Sequence, residues 1–97
     1  MYAAIVTYKP DENLDDAEIR ARFEASTPIF SSLPGLVRKD FCFDPEQREG
    51  TSLYIWESRE AAEACFGSAP FLDGFRQAFG CEPSIRYLDI WHTVDNA

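Results

Sequence analysis

The sequence predicts a small α+β domain with the element order βαββαβ. Three observations predict it. Residues 2–8 form a β-branched and aromatic run that stops at Lys9-Pro10-Asp11; residues 36–43 and 51–56 are two further β-rich runs either side of the polar stretch 44–50; and the segments between and after these runs keep a helical period. Ninety-seven residues make one domain, 1–97, with no repeat, low-complexity tract or linker to divide it.

Each element has its own signal. Residues 2–8 contain no polar side chain but Thr7, which predicts a central strand buried on both faces. Asp15 followed by Glu18 has capping-box spacing, and Asp15, Asp16 and Glu18 put negative charge where a helix N-terminus is positive. Ile19, Phe23 and Phe30, with Ser26 between them, mark the buried stripe of that helix, and Pro28 is expected to kink or end it before Pro34-Gly35 closes the segment. Residues 36–43 and 51–56 then pair as an antiparallel hairpin. Ser58 caps a short helix through Phe66, ended by Gly67; Ser68 and Pro70 open another, with Phe71, Phe75 and Phe79 at i, i+4, i+8 and Gly80 at its end. Residues 84–94 are expected to form one long final strand.

With right-handed crossovers this order gives a ferredoxin-like, four-stranded antiparallel sheet with the helices on one face. If Phe41 lies opposite Leu53, then Val37, Phe41, Phe43, Leu53 and Ile55 face the helices. The opposite face then carries Arg38, Asp40, Cys42, Tyr54, Trp56, Tyr87, Asp89 and Trp91, joined by Tyr2, Val6 and Tyr8. Four Tyr and two Trp on open sheet exceed what a monomer exposes, so this reading calls for a homodimer closed through the sheet face.

Composition supports a partner and excludes others. Hydrophobic residues make up 45% of the chain and aromatics 14%, a large apolar load for so small an interior. A net charge of −8 repels phosphate backbones and anionic lipid, so neither nucleic acid nor membrane is an expected partner. The absence of a leader pattern and of a long apolar run predicts a cytoplasmic protein. Cys42, Cys65 and Cys81 are odd in number and widely spaced, which reads as reduced, mostly buried thiols rather than a disulfide or zinc framework. No phosphate loop, HExxH or Gly-x-Ser-x-Gly occurs, so no cofactor and no metal is expected. His92, alone at the end of the last strand, reads as structural.

The aromatic face has the composition of a ligand pocket, apolar walls with a few orienting polar groups, and suits a flat aromatic ligand. Its expected lining is Tyr8, Arg38, Tyr54, Trp56, Tyr87, Asp89 and Trp91. Asp40 and Asp89 are the candidate bases, Asp40 the preferred catalytic group, because a carboxylate among rings has its pKa raised toward neutrality. Arg38 and a tyrosine hydroxyl can meet a developing oxyanion. The plainer reading is an Arg38–Asp40 salt bridge beside ordinary interface aromatics.

The stretches Leu33-Pro34-Gly35-Leu36-Val37-Arg38-Lys39 and Tyr54-Ile55-Trp56-Glu57-Ser58-Arg59-Glu60-Ala61-Ala62-Glu63-Ala64, with the first strand and the closing segment from Gly80-Cys81-Glu82-Pro83 to Trp91, resemble the YdhR-type monooxygenases of the dimeric α/β-barrel superfamily, which includes antibiotic-biosynthesis monooxygenases. The resemblance covers most of the chain and implies that fold. It also implies a range of activities, since the superfamily holds cofactor-free oxygenases, haem-degrading enzymes, isomerases and proteins of no known activity. The haem-degrading branch wants an Asn on the first strand and a His on the second helix; Thr7 stands at the first position and that helix has no His, so haem degradation is disfavoured. In the antibiotic-biosynthesis branch an ionised hydroquinone substrate itself reduces oxygen, and Tyr54, Trp56, Arg38 and Asp40 fit the protein's share of that task. The expected function is therefore a cofactor-independent monooxygenase acting on a small aromatic, phenolic or quinone-like substrate in a pocket between sheet and helices or between paired sheets, with a non-catalytic small-molecule-binding or stress-related homodimer as the alternative.

Overall fold

Strand β1 (Tyr2–Tyr8) lies inside a four-stranded sheet, with the order β2-β3-β1-β4 and every neighbour antiparallel. The computed structural model describes residues 1–96. The remaining elements are α1 (Asp16–Ser31), β2 (Leu36–Asp44), β3 (Glu49–Trp56), α2 (Arg59–Phe66), α3 (Ala69–Phe79) and β4 (Ser84–Asp89). This is the βαββαβ order with the second helical region in two pieces.

The helix ends follow their local signals. Asp15 accepts from the Glu18 amide at 2.8 Å while the Glu18 carboxylate reaches back to the Asp15 amide, a complete capping box. Ser58 caps α2 and Ser68 caps α3, and Gly80 closes α3 in the left-handed region at φ 68°. Pro28 does not end α1, which runs on to Ser31. The amide that Pro28 lacks would have bonded the carbonyl of Glu24, an exposed residue, so water can satisfy that acceptor.

The last strand, Ser84–Asp89, is shorter than expected. β4 pairs with β1 as far as Tyr2↔Asp89, and Ile90 then donates to the Met1 carbonyl. Trp91, 93% exposed, and His92 therefore lie beyond the sheet.

The facing of the sheet is the main correction. Phe41 pairs with Ser52, not Leu53, and a one-residue slip turns a whole strand over. Tyr2, Ala4, Val6 and Tyr8 face the helices together with their partners Trp56, Tyr54, Ser52 and Gly50, and all eight are buried. Leu53 and Ile55 lie on the open face with Ile5 and Leu88, opposite to the expected placement. A bulge between Leu36 and Arg38 leaves Val37 unpaired and half exposed, while Arg38, Asp40 and Cys42 fall on the open face as expected. Cys42 is consequently an exposed thiol rather than a buried one; Cys65 and Cys81 are partly buried. β1 is central, yet its second face, with Ala3, Ile5 and Thr7, is only partly covered.

Candidate functional site

Turning the aromatic residues inward puts them between the sheet and its own helices. There they wall a cleft of about 740 Å³. Its floor is the sheet, through Tyr8, Lys39, Phe41, Ser52, Tyr54 and Trp56; α1 supplies one wall with Ser26, Ile29 and Phe30, and α2 and α3 supply the other with Cys65, Phe71, Phe75 and Phe79. Helices α1 and α3 are tied by the Arg22 Nε bond to the Ala78 carbonyl at 3.1 Å and by the Phe23 and Phe79 rings, whose centroids are 5.9 Å apart.

The walls are built by ring packing. Tyr54 and Trp56, two apart on β3, stack with their planes 3° apart, and Phe66 of α2 meets both edge to face. Tyr8 rests on Phe75 and Phe79, each at 4.8 Å between centroids. It fits only because residue 50 is glycine: a Cβ there would stand 2.3 Å from the Tyr8 ring.

Polar groups in this cleft are few. Burial pushes the Tyr8 hydroxyl up to about 12, against the opposing effect of Ser52, and pushes the Tyr54 hydroxyl up as well, so both are neutral donors at ordinary pH. Trp56 Nε1 is buried without an acceptor among the described residues. The cation is Lys39, whose Nζ stands 3.2 Å from the Phe30 ring centroid, 4.0 Å from that of Phe41 and 4.5 Å from that of Tyr54. No carboxylate among the described residues lies within salt-bridge distance of it. Burial drives its pKa down to about 7, partly opposed by Cys65, whose own thiol is pushed up by burial.

The predicted lining therefore divides. Tyr8, Tyr54 and Trp56 meet in the cleft. Tyr87 stacks on Tyr2 at 5.8 Å and Asp89 pairs with Tyr2 across the strands, both outside the cleft on the edge strand β4; Trp91 is in solvent. Arg38 and Asp40 hold each other on the open face through two bonds, 2.9 Å and 3.3 Å long, with the sheet between them and the cleft. Sequence reasoning missed Lys39. The signal was present, for the period of two that sends Phe41 and Phe43 toward the helices sends Lys39 with them. Among the described residues no group of His, Cys, Asp and Glu is arranged to hold a metal, and no helix is long and apolar enough to cross a membrane.

No protein-family model matches the chain, and no curated protein matches it. Solved structures do. SnoaB from Streptomyces nogalater, a cofactor-independent oxygenase, superposes with a TM-score of 0.73 at 14% identity, over 96% of this chain and 95% of that one. The monooxygenase from the gene ActVA-Orf6 of Streptomyces coelicolor, solved in complex with nanaomycin D, gives 0.69 at 18% identity, over 99% and 92%. A protein of unknown function from Nitrosomonas europaea gives 0.75 at 12% identity, over 99% and 94%. At these identities the likeness establishes a shared fold, and a fold carries more than one function.

Proposed function

We propose that this protein is a cofactor-independent monooxygenase whose substrate, a small phenolic or quinone-like ring system, lies in the cleft between sheet and helices. One observation carries the reading: an apolar cleft of about 740 Å³, walled by Tyr8, Phe30, Tyr54, Trp56 and Phe71. That volume lies within the range of about 300 to 1,000 Å³ usual for small-molecule sites. Flat walls of this kind select a flat, apolar body, and the Tyr8 and Tyr54 hydroxyls, kept neutral by burial, can donate to its oxygens. The fold shared with SnoaB and the nanaomycin-bound monooxygenase agrees with the reading.

The chemistry needs no redox group from the protein. An anthrone-type substrate can supply all four electrons that oxygen requires: its methylene becomes a carbonyl holding one oxygen atom, and the other oxygen leaves as water with the two displaced hydrogens. The protein's share is to hold the ring, exclude water and move protons. The same reading includes a homodimer joined across the open face, where Ile5, Leu53, Ile55 and Leu88 make an apolar stripe beside the Arg38–Asp40 pair.

Oxygen uptake with anthrone and with a substituted hydroquinone tests the activity. Uptake above the uncatalysed rate, one oxygen molecule per molecule of anthraquinone formed, is the expected result. Thermal stabilisation by anthrone without oxygen uptake would replace the enzyme with a binding protein.

A further inference from the structure

The cleft contains one amine, and its surroundings are unusual for an amine. Lysine on a half-polar strand ordinarily extends its ammonium into water or onto a carboxylate. Lys39 does neither. Its Nζ lies among the rings of Phe30 on α1, Phe41 on its own strand and Tyr54 on β3, inside the space that a ligand would share.

We propose that Lys39 is the acid–base group of this site, and that the ligand presents to it an acidic hydroxyl, phenolic or enolic, which Lys39 deprotonates. This rests on the reading of the cleft as an oxygenase site and names its base. In the step, the ligand O–H bond breaks and an N–H bond forms on Nζ, so two neutral groups become a phenolate beside an ammonium. The anion then gives electrons to oxygen and a C–O bond forms. The resulting peroxide takes the proton back from Lys39, and O–O cleavage, with loss of the remaining C–H hydrogen as a proton, releases water and leaves a carbonyl. Lys39 ends neutral, as it began.

The environment suits that cycle from both sides. Burial disfavours the ammonium before the ligand arrives, and with a pKa of about 7 a large share of the amine is unprotonated at neutral pH. Once the proton has moved, the phenolate pairs with the ammonium and the three ring faces attract the cation. The titratable groups that share the cleft with Lys39 are few. Arg22 of α1 stands at the rim with its Nε on the Ala78 carbonyl, Tyr54 of β3 and Tyr8 of β1 are held neutral, and the Cys65 thiol of α2 is pushed upward. None of these is better placed to accept a phenolic proton near neutral pH.

Para-nitrophenol, coloured only when ionised, and its methyl ether para-nitroanisole test the inference. At a pH about one unit below the dye's solution pKa, about a tenth of the free phenol is ionised. The expected result is that the protein binds both compounds and that most of the bound phenol is phenolate. Lys39→Met should still bind the ether but bind the phenol in its neutral form, and Lys39→Gln should repeat that result if methionine alters the fold. Phenol bound without ionisation by the natural protein, or ionised equally by the Lys39 variants, would overturn the role of Lys39 and leave the cleft standing. Failure of both the phenol and the ether to bind would overturn the cleft reading and the base with it. A second readout needs no ligand. Lys9 and Lys39 are the two lysines of the sequence, so reductive methylation with labelled formaldehyde gives two lysine signals beside that of the N-terminal amine; with these assigned by Lys9→Arg and Lys39→Met, the Lys39 signal should titrate near 7.

Discussion

The two faces of the one sheet carry different chemistry. Toward the helices, β1 and β3 present Tyr2, Tyr8, Tyr54 and Trp56, every one of them buried; away from the helices the same two strands present Ala3, Ile5, Leu53 and Ile55, partly wet. Rings face the cavity and aliphatic groups face out. The contrast shows that the aromatic excess of this chain is used within one copy, to wall a cleft. The argument for a partner copy therefore rests on an aliphatic stripe, not on uncovered rings. It also separates two ionic devices one residue apart, since Lys39 is enclosed on the inner face while Arg38 and Asp40 pair in solvent on the outer.

The sharpest way to break this contrast is to remove a ring from the inner face. Trp56 is 0% exposed, stacked on Tyr54 and touched by Phe66, so Trp56→Ala should lower unfolding stability by about 3 to 5 kcal/mol. Urea denaturation followed by circular dichroism reads it. A loss below about 1 kcal/mol would mean that the inner face is not the packed one.

Next in size is the enclosed amine, and its effect depends on pH. The folded-state pKa of Lys39 lies near 7 against about 10.4 in an unfolded chain. Between those values the unfolded state binds more protons, so stability rises with pH across the window; below about 7 the destabilisation is present in full. Lys39→Met keeps an unbranched apolar stem in the same cage. The variant should be the more stable protein at pH 6, by on the order of 2 kcal/mol, with the difference shrinking toward pH 10. Parallel stability curves for the two proteins across that range would show that the amine is solvated.

How much of this was legible in the sequence follows from how local each signal is. Caps are encoded within four residues, and Asp15 with Glu18, Ser58, Ser68 and Gly80 sit where their spacing placed them. The Phe71, Phe75 and Phe79 stripe was equally plain, as was the fold order. Facing was not, for a period of two separates an apolar face from a polar one, and here both faces of β1 and β3 are apolar. Only pairing breaks that tie, and pairing depends on the turn and on the bulge at Val37, neither of which alternation reveals. For that reason Tyr8, Tyr54 and Trp56 were expected on the face away from the helices, and the pairing turns them toward the helices while Arg38 and Asp40 stay on the open face. Lys39 was overlooked because a lysine reads as solvent-facing by type, whereas position overrode type.

The smallest expected effect sharpens the comparison most for function. Asp40 lies on the outer face, its carboxylate held at 2.9 Å by the exposed Arg38 guanidinium, in a geometry where water and salt screen the pair. Asp40→Asn should leave the denaturation midpoint unchanged in high salt. It should also leave oxygen uptake with anthrone close to that of the natural protein, whereas Lys39→Met should lose most of it. If instead Asp40→Asn abolished uptake while the fold and para-nitroanisole binding stayed intact, the reacting group would belong to the outer face. The chemistry would then take place between two copies, and the inner cleft would be a core with room in it.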